Sequence, residues 1–401
     1  MRFHPSLPRF AWIFAHAAAI VSRAGCQTVP FTDSNLPVVV IDTRGKAVPN
    51  QVKVEAHLGV VDNGRGRRNA PADPFNSYDG EIGIETRGSS SQGFPKKSYA
   101  VETRDPSGNA RNTPVLGFPA ENDWVLYGPY TDKSLMRNAL MYRLSNAIGR
   151  YALRTRFCEL VLNGDYRGVY VWMEKVKRDK HRVDIAAIGP TDNSGDPLTG
   201  GYIVKIDKVD GEENDGWISE FAQDPAYGKT ILYQFHYPRP EDITFAQVRT
   251  IRSAVSDFER AMAGPDFNDP EAVYLRFLRI DTFVDYFLLN EIARNVDAYR
   301  LSAFLCKDRD SRDGRLFMGP LWDFDLGCGN ADYYDGWKPE GWQLDFLATD
   351  ENFRQGDTFL VPFWWVKVRN ESGFQDRVRV RWKALRQGLL RTEALQTLQR
   401  Q

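Results

Sequence analysis

The first part of the chain carries the short apolar runs that predict β-strands. Continuous apolar runs are typical of buried strands, and runs that alternate with polar residues predict strands with one solvent-facing side. Asn163-Gly164, between two such runs, predicts a β-hairpin. One stretch with helical spacing, 132–148, interrupts the strands, with Thr131 or Asp132 as its cap. The predicted strands span residues 37–43, 52–56, 80–87, 97–103, 157–162, 168–174 and 201–207.

Beyond these strands, apolar positions recur three and four residues apart, which is the spacing of helices. We therefore expect residues 36–235 to be mainly β and residues 236–401 to be mainly helical. The fold class predicted from this pattern is α+β, with a β-rich N-terminal part and a helix-rich C-terminal part. The elements predicted in the second part are helices at 243–262 and 270–294 and a short β-pair at 302–306 and 316–321.

The first 26 residues have the order of a secretory signal peptide. Two arginines precede an apolar run at 11–21, which is too short to span a bilayer comfortably, and Gly25-Cys26 follows. This pair resembles the lipidation site of bacterial lipoproteins, although Arg23 stands where that site has an apolar residue. The alternative is a buried N-terminal helix. We expect an exported protein of the cell envelope or extracellular space, with Cys26 as a candidate lipid anchor, a linker at 27–35 and one domain at 36–401.

The charge and the motifs of the chain exclude several functions. A formal net charge of -1 argues against nucleic acid as the main partner, because a phosphate backbone demands a surplus of basic residues. The histidines show no spacing typical of a zinc site, and neither a Walker A motif nor a nucleophile elbow occurs. Cys306 and Cys328 flank the candidate site and could pair, but buried free thiols, including Cys158, are the favoured interpretation.

Carboxylates therefore carry the candidate chemistry. Asp297 follows a long apolar helix, and a short β-pair later in the chain ends in Trp322-Asp323-Phe324-Asp325. Acids at the tip of a strand suit a hard cation such as Mg²⁺. Protein kinases use one aspartate to orient the acceptor hydroxyl and a later aspartate, after a β-pair, to hold Mg²⁺. The alternative is that Asp323 and Asp325 are turn acids or helix caps.

A small-residue loop between two predicted strands supplies the candidate basic element. It runs from Arg87 through Ser90 to Lys96 and Lys97. Backbone N–H groups and hydroxyls in such a loop can donate to phosphate, and a lysine at its exit can neutralise the charge. The alternative is a flexible polar hairpin loop.

Taken together and in order, these segments resemble the CotH kinase family, the atypical kinases first associated with bacterial spore coats. The resemblance implies a two-lobed, atypical protein-kinase-like fold. It also implies ATP, Mg²⁺ or Mn²⁺, and phosphorylation of Ser/Thr on a secreted or cell-surface protein. The matching segments are RGSSSQGFPKKSY at 87–99, LGFPAENDW at 116–124, DKSLMRN at 132–138, ELVLNGDYRGVY at 159–170, GGYI at 200–203, NVD at 295–297 and GPLWDFD at 319–325.

The resemblance also implies roles for individual residues. Asp297 matches the catalytic base, Asp323 matches the metal-binding acid, and Asp325 is the second ligand or an orienting group. Lys97, or else Lys96, is expected to contact the ATP phosphates.

Further positions follow from the same resemblance. Arg87 and Ser90 lie in the loop that carries these lysines, and Glu174 is expected to pair with the chosen lysine. Arg137 is a phosphate-binding or structural candidate.

The chain departs from the family pattern in two respects. Ser302 stands at the fifth position after Asp297, where kinases carry an Asn that binds a second metal ion. Family members also usually continue with further helices, so a C-terminally short member is expected. Two other functions stay open: a non-catalytic cell-surface scaffold or adhesin of the same fold, and a metal-dependent hydrolase of envelope polymers.

Overall fold

The computed structural model of the protein describes residues 31–209, 215–221, 223–224, 226–264 and 270–400, without the side chains of residues 270–272. The signal peptide predicted at 1–26, with Cys26, and residues 27–30 of the linker predicted at 27–35 lie outside the described residues. Within the described chain, no helix combines the length and the apolar character that crossing a membrane requires.

The strands of the N-terminal part close into a barrel. They are β1 (Val38–Asp42), β2 (Val54–Val61), β3 (Tyr78–Arg87), β4 (Ser98–Thr103), β5 (Asp123–Tyr127), β6 (Thr155–Leu162) and β7 (Asp165–Glu174). Their order is β1-β2-β3-β4-β5-β7-β6, and β1 closes the barrel by pairing in parallel with β6. Apolar side chains such as Val39, Ile82 and Trp172 fill the interior, which accounts for the alternating pattern of the sequence.

A second sheet carries the other strands of the described chain. They are β8 (Tyr202–Ile206), β9 (Gly216–Ile218), β10 (Leu232–Tyr237), β11 (Ala303–Lys307) and β12 (Leu316–Met318), in the order β12-β11-β8-β10-β9. The predicted pair β11–β12 is confirmed as antiparallel, with Leu305 opposite Met318. Strand β8 pairs with β11, so the segment after β8 lies beside the segment before β11.

Helices dominate the chain after β10, and the fold is α+β as predicted. The helices of the described chain, of which the first two precede β10, are α1 (Arg137–Ala147), α2 (Gly195–Thr199), α3 (Phe245–Ala263), α4 (Pro270–Phe277), α5 (Ile280–Ala293), α6 (Asp310–Asp313), α7 (Gln343–Thr349), α8 (Glu351–Gly356), α9 (Phe363–Asn370), α10 (Ser372–Gln387) and α11 (Thr392–Arg400). The single helix predicted at 270–294 is wrong. The chain leaves the helix at Leu278, and the N–H of Arg279 donates to the carbonyl of Leu316 at 2.9 Å, so β12 divides α4 from α5.

The helix predicted at 132–148 begins only at Arg137. The carboxylate of Asp132 accepts hydrogen bonds from the backbone N–H of Ser134 at 3.0 Å and of Arg137 at 2.9 Å. These bonds hold the chain in a tight turn, in which Leu135 has a positive φ of 63°. Asp132 therefore organises the turn that leads into α1. The preceding residue, Thr131, donates a hydrogen bond to Asp325.

A buried acidic network connects β10, α3 and α9. Glu259 of α3 is fully buried and accepts hydrogen bonds from Tyr233 Oη at 2.9 Å and Ser219 Oγ at 2.8 Å. Trp364 Nε1 donates to the Tyr233 hydroxyl at 3.2 Å. Burial raises the pKa of the Glu259 carboxyl from 4.5 to about 7, because no cation among the described residues pairs with it.

This raised pKa predicts a pH-dependent stability. The folded protein holds the Glu259 proton more tightly than the unfolded chain, so stability is fully present below pH 4.5 and falls as the pH rises to about 7. Between pH 5.5 and 8 the expected loss in the free energy of unfolding is about 2 kcal/mol, which E259Q removes. Urea unfolding at both pH values measures it. D257N, at an exposed acid of the same helix, is the control, and an unchanged pH dependence in E259Q would contradict the assignment.

Candidate active site

Helix α1 holds the segment after β12 that carries the paired acids. The backbone N–H of Asp323 donates to the Tyr142 hydroxyl at 3.0 Å, and that of Phe324 donates to Asn138 Oδ1 at 2.6 Å. Asp323 adopts a positive φ of 62°, which is uncommon for a residue with a side chain. Two side chains of one helix therefore fix a strained backbone, and such strain is concentrated at functional sites.

Asp325 is fixed from the turn that precedes α1. Thr131 Oγ1 donates to Asp325 Oδ2 at 2.8 Å, and Asn330 Nδ2 donates to the Asp325 carbonyl at 2.7 Å. Arg137 Nε donates to the carbonyl of Gly327 at 2.9 Å, and its guanidinium pairs with Asp132. Arg137 thus has a structural place under the acidic segment, one of the two alternatives that the sequence left open.

Asp297 lies in the turn that follows α5. Helix α5 ends where Arg294 takes a positive φ of 48°, and Asn295 Oδ1 then accepts the backbone N–H of Asp297 at 3.1 Å. Arg300 Nη2 donates to Asp297 Oδ1 at 2.9 Å. The Asp297 side chain keeps 23% of its surface exposed, so its carboxylate is held in place and still accessible.

One cleft of about 280 Å³ brings these acids together with the small-residue loop. Ser302, with a positive φ of 51°, also lines it. The Arg87 guanidinium lies 5.4 Å from the ring centroid of Trp322, which joins the end of β3 to the acidic segment. The predicted site residues that line this cleft are Asp297, Asp323, Asp325, Arg87 and Ser90.

The cleft concentrates negative charge. Asp323 is accessible from the cleft, yet protein atoms crowd it, and this desolvation raises the pKa of its carboxyl well above 3.8. The charges of Asp325, Asp297 and Asp207 raise it further, and Arg87 opposes them. Burial likewise raises the pKa of Asp297 against the opposing charge of Arg300. A cation in the cleft would relieve this repulsion.

Tyr127 provides a second indication that a polar ligand fits this cleft. Its hydroxyl is buried in the wall of the cleft and has no hydrogen-bond partner among the residues that the structure describes. Desolvation and the nearby charges of Asp325 and Asp323 raise the pKa of this hydroxyl, so it stays protonated. A buried unpaired donor is costly, and a bound oxygen-rich group would satisfy it.

The cleft also has cationic walls. Lys208 Nζ donates to Ser90 Oγ at 3.2 Å, and Lys205 Nζ lies 4.0 Å from Asp207 Oδ2. Lys175, the first residue after β7, also lines the cleft. Its side chain is exposed to solvent, although other side chains of the cleft surround it. Desolvation lowers the pKa of the Lys175 ammonium; the charge of Asp123 opposes this effect, and the charges of Arg87 and other cations add to it. An anion would stabilise this group of positive charges.

The lysines predicted to contact phosphate point elsewhere. Lys97 Nζ donates to the carbonyl of Gln92, at the end of the 3₁₀ turn Ser90–Gly93. Lys96 Nζ donates to the carbonyl of Val169 at 2.6 Å and lies 4.6 Å from the Tyr170 ring centroid. Neither side chain lines the cleft, because the loop folds back and its own carbonyls, with those of β7, capture both ammonium groups.

The predicted pairing of Glu174 with Lys97 is also absent. The Glu174 carboxylate is fully buried at the end of β7, where Arg154 Nη1 donates to it at 2.7 Å and the Tyr151 hydroxyl at 3.1 Å. Arg182 Nε lies 3.6 Å from the same group. Two arginines therefore satisfy this carboxylate outside the cleft.

The cysteines of the described chain are free thiols. Cys158 and Cys306 are buried, as the favoured interpretation predicted, whereas Cys328 is exposed. The alternative pairing of Cys306 with Cys328 does not form.

Several residues that line the cleft had no sequence signal strong enough to identify them. Lys175, Asp207 and Lys208 lie at the ends of strands, where the alternating pattern stops. His236 Nε2 lies 2.9 Å from the carbonyl of Val176, and burial lowers the pKa of this histidine to about 4, so it is neutral near pH 7. The only indication of Lys175, Asp207 and Lys208 in the sequence was their position at the end of a predicted strand or directly after it.

The donor set suits a metal ion that arrives with a phosphate ligand. Within the described residues, no group of three or more His, Cys, Asp or Glu side chains forms a metal cage. Asp323 and Asp325 offer two carboxylates, and Mg²⁺ is usually bound by one or two carboxylates, with substrate phosphates and water completing its shell. The uncompensated acids and the unpaired Tyr127 hydroxyl agree with such a ligand.

Comparison with known proteins adds the family. No curated protein matches the chain significantly. A family model described as CotH kinase protein matches residues 84–398, which include every residue of the cleft named above. This match covers most of the chain, and it agrees with the order of motifs found in the sequence. The chain belongs to the CotH kinase family.

Proposed function

We propose that the protein is an exported kinase that transfers the γ-phosphate of ATP to Ser/Thr of a secreted or cell-surface protein, with Mg²⁺ or Mn²⁺. A signal peptide at 1–26 and a lipid anchor at Cys26 are part of this proposal. The observation that carries it is the single cleft in which Asp297, Asp323 and Asp325 face the Arg87–Ser91 loop.

Asp323 and Asp325 are the proposed metal ligands. These carboxylates would hold a divalent ion, which would supply positive charge to the phosphates. Tyr142, Asn138 and Thr131 keep the two acids in position, and Tyr127 offers a hydroxyl to the same region. Preorganisation of this kind is the main contribution that a protein makes to phosphoryl transfer.

The nucleotide is proposed to lie between the barrel and the second sheet. Met173, Val176 and Phe304 provide an apolar surface for the base. Arg87 and the serines of the loop face the phosphates, together with Lys175, which takes the place that the sequence suggested for Lys97.

Asp297 is the proposed base for the acceptor hydroxyl. Its ionised form accepts the proton, and the charges of Arg300 and Lys208 favour that form against the effect of burial. The order along the chain is that of protein kinases: a base after a long helix, the pair β11–β12, and then the metal-binding acid. This order supports a two-lobed kinase-like arrangement, with the barrel as the N-terminal lobe.

Transfer of radiolabel from γ-³²P-labelled ATP to a Ser-rich acceptor protein tests the proposal. Label is expected on the acceptor with Mg²⁺ or Mn²⁺ and not with EDTA. Absence of transfer by the pure protein with either metal would refute it. A hydrolase would instead release phosphate or sugar from envelope polymers without ATP.

Replacement of Lys175 separates the two candidate phosphate contacts. K175M is expected to raise the KM for ATP about 10–100-fold, because a charge-assisted contact to phosphate in a crowded cleft is lost. K97M is expected to leave this KM within about twofold, since its ammonium bonds the Gln92 carbonyl outside the cleft. Initial rates over a range of ATP concentrations measure both. A larger effect of K97M would restore the sequence-based assignment.

A non-catalytic scaffold is the second candidate function. Trp337, Trp342 and Trp382 expose 53%, 39% and 40% of their surfaces, and Ser302 replaces the metal-binding Asn of kinases. Exposed aromatic side chains are typical of interaction surfaces. A ligand that binds the folded state must stabilise it, so unchanged thermal stability with ATP and metal would favour the scaffold.

A further inference from the structure

Arg300, next to the proposed base Asp297, uses all three nitrogens of its guanidinium in hydrogen bonds. Its side chain is only 2% exposed. Nη2 donates to Asp297 Oδ1 at 2.9 Å, Nη1 reaches Asp357 Oδ1 at 3.3 Å and the Phe359 carbonyl at 3.2 Å, and Nε donates to the Val296 carbonyl at 3.2 Å. The planar guanidinium is therefore fixed in direction from three sides.

The segment after α8 holds the other end of this network. Asp357 accepts the Tyr334 hydroxyl at 2.9 Å and the backbone N–H of Phe359 at 2.7 Å. Lys229 Nζ donates to the Asp357 carbonyl. The Arg300 guanidinium also lies 5.7 Å and 5.0 Å from the ring centroids of Tyr334 and Phe353. Asp357 is thus tied to its surroundings before it contacts Arg300.

This arrangement constrains one oxygen of the base and leaves the other available. Arg300 occupies Oδ1 of Asp297, and no donor among the described residues bonds its Oδ2. A carboxylate held through one oxygen cannot rotate freely, so the second oxygen keeps a constant direction. That direction matters for proton transfer, which requires hydrogen-bond geometry between base and acceptor.

We propose that Arg300 is a positioning residue that aims Asp297 Oδ2 at the acceptor hydroxyl, and that Asp357 fixes the direction of Arg300. This inference rests on the proposed function. In the step concerned, the acceptor hydroxyl gives its proton to Asp297 Oδ2 and its oxygen bonds to the γ-phosphorus. The bond from that phosphorus to the bridging oxygen breaks, and ADP leaves with the electron pair.

Conservative variants test the role. R300K keeps the charge but replaces the fork by a single donor, so it cannot hold Asp297 and Asp357 in one geometry. We expect R300K to lower kcat about 10–100-fold, with the KM for ATP and the nucleotide-induced thermal shift unchanged. D357N keeps an acceptor oxygen and is expected to lose less than R300K. R354K is the matched control. Arg354 lies on helix α8 and forms an ion pair with Asp224 at 2.6 Å, away from Asp297. We expect R354K to keep wild-type kcat.

The combination with D297N separates positioning from general damage. If Arg300 acts through Asp297, R300K has no further effect on the residual rate of D297N. Additive losses in the double variant, or wild-type kcat in R300K, overturn the inference while the proposed function stands. A wild-type protein without any phosphoryl transfer overturns the proposed function and the inference with it. If R300K does not fold, D357N alone decides: a kcat equal to wild type overturns the inference.

Discussion

The D323N variant is expected to lose phosphoryl transfer by at least about 10³-fold and to melt at a higher temperature than the wild type. The loss follows from the carboxylate that faces the cleft with Asp325, where the proposed metal ion and the phosphates meet. The gain follows from electrostatics, because desolvation by the protein atoms that crowd Asp323, together with the charges of Asp325 and Asp297, raises the pKa of its carboxyl well above its usual value. Ionised Asp323 therefore destabilises the fold, and asparagine removes that charge.

Asparagine is the appropriate replacement for Asp323 because of the backbone conformation at that position. Asp323 has a φ of 62°, a conformation that Asn tolerates better than most residues, whereas D323A would add strain. The hydrogen bond from the Asp323 backbone N–H to Tyr142 does not depend on the side chain and should remain. D332N, an exposed acid later in the same segment, is the control.

Two measurements check this prediction. Radiolabel transfer gives the rate, and thermal unfolding without nucleotide or metal gives the stability. Adding Mg²⁺ and ATP should stabilise the wild type and D332N but not D323N. A D323N protein that melts lower than the wild type and still transfers phosphate would show that Asp323 is a structural turn acid, which is the alternative raised from the sequence.

The D297N variant is expected to lower kcat about 10²–10⁴-fold, the usual contribution of a general base, without weakening nucleotide binding. The amide that D297N introduces keeps an oxygen that accepts from Arg300, so the turn after α5 should retain its geometry. The base acts on the acceptor hydroxyl and does not hold the nucleotide. This distinguishes D297N from D323N, in which both transfer and nucleotide-dependent stabilisation are lost.

The same substitution at Asp281 provides the control for D297N. Asp281 lies on α5 and pairs with Arg150 at 2.6 Å on the surface, where an ion pair contributes little. We expect D281N to keep wild-type kcat. Thermal shifts with Mg²⁺ and ATP, measured beside initial rates, separate binding from transfer. A D297N protein with unchanged kcat and a raised KM for ATP would assign Asp297 to nucleotide binding.

The sequence pattern predicted those helices, strands and turns whose conformation depends on residues that are neighbours in the chain. The Asn163-Gly164 turn joins β6 to β7 because both residues take the positive φ that the hairpin requires, at 52° and 81°. The single helix predicted at 270–294 was wrong because a contact with Leu316, distant in sequence, interrupts it. Strands β5 and β9 were not predicted, since runs of three to five residues have little periodicity of their own, and a strand as short as β12 was recognised only together with its partner β11.

The same distinction applies to the site. Asp297 and Asp323 were recognised as candidates because each directly follows a recognisable element, and both line one cleft. Lys97 illustrates the limit. A lysine at a loop exit looks suited to phosphate, but the direction of its flexible side chain depends on which carbonyl or anion lies nearest in the fold. Lys175 was not among the sequence-based candidates for the same reason, because only the fold places it in the cleft.

The parallel pairing of β1 with β6 sets the minimum length of a protein that can fold. The match to the family begins at residue 84, within β3, whereas Val38 pairs with Glu159 across the barrel. A truncated protein that starts at residue 84 would lack β1, β2 and most of β3, and it would leave the remainder of β3 and strand β6 as open edges that invite aggregation. During synthesis, β1 stays unpaired on one side until β6 has emerged, so the barrel closes late.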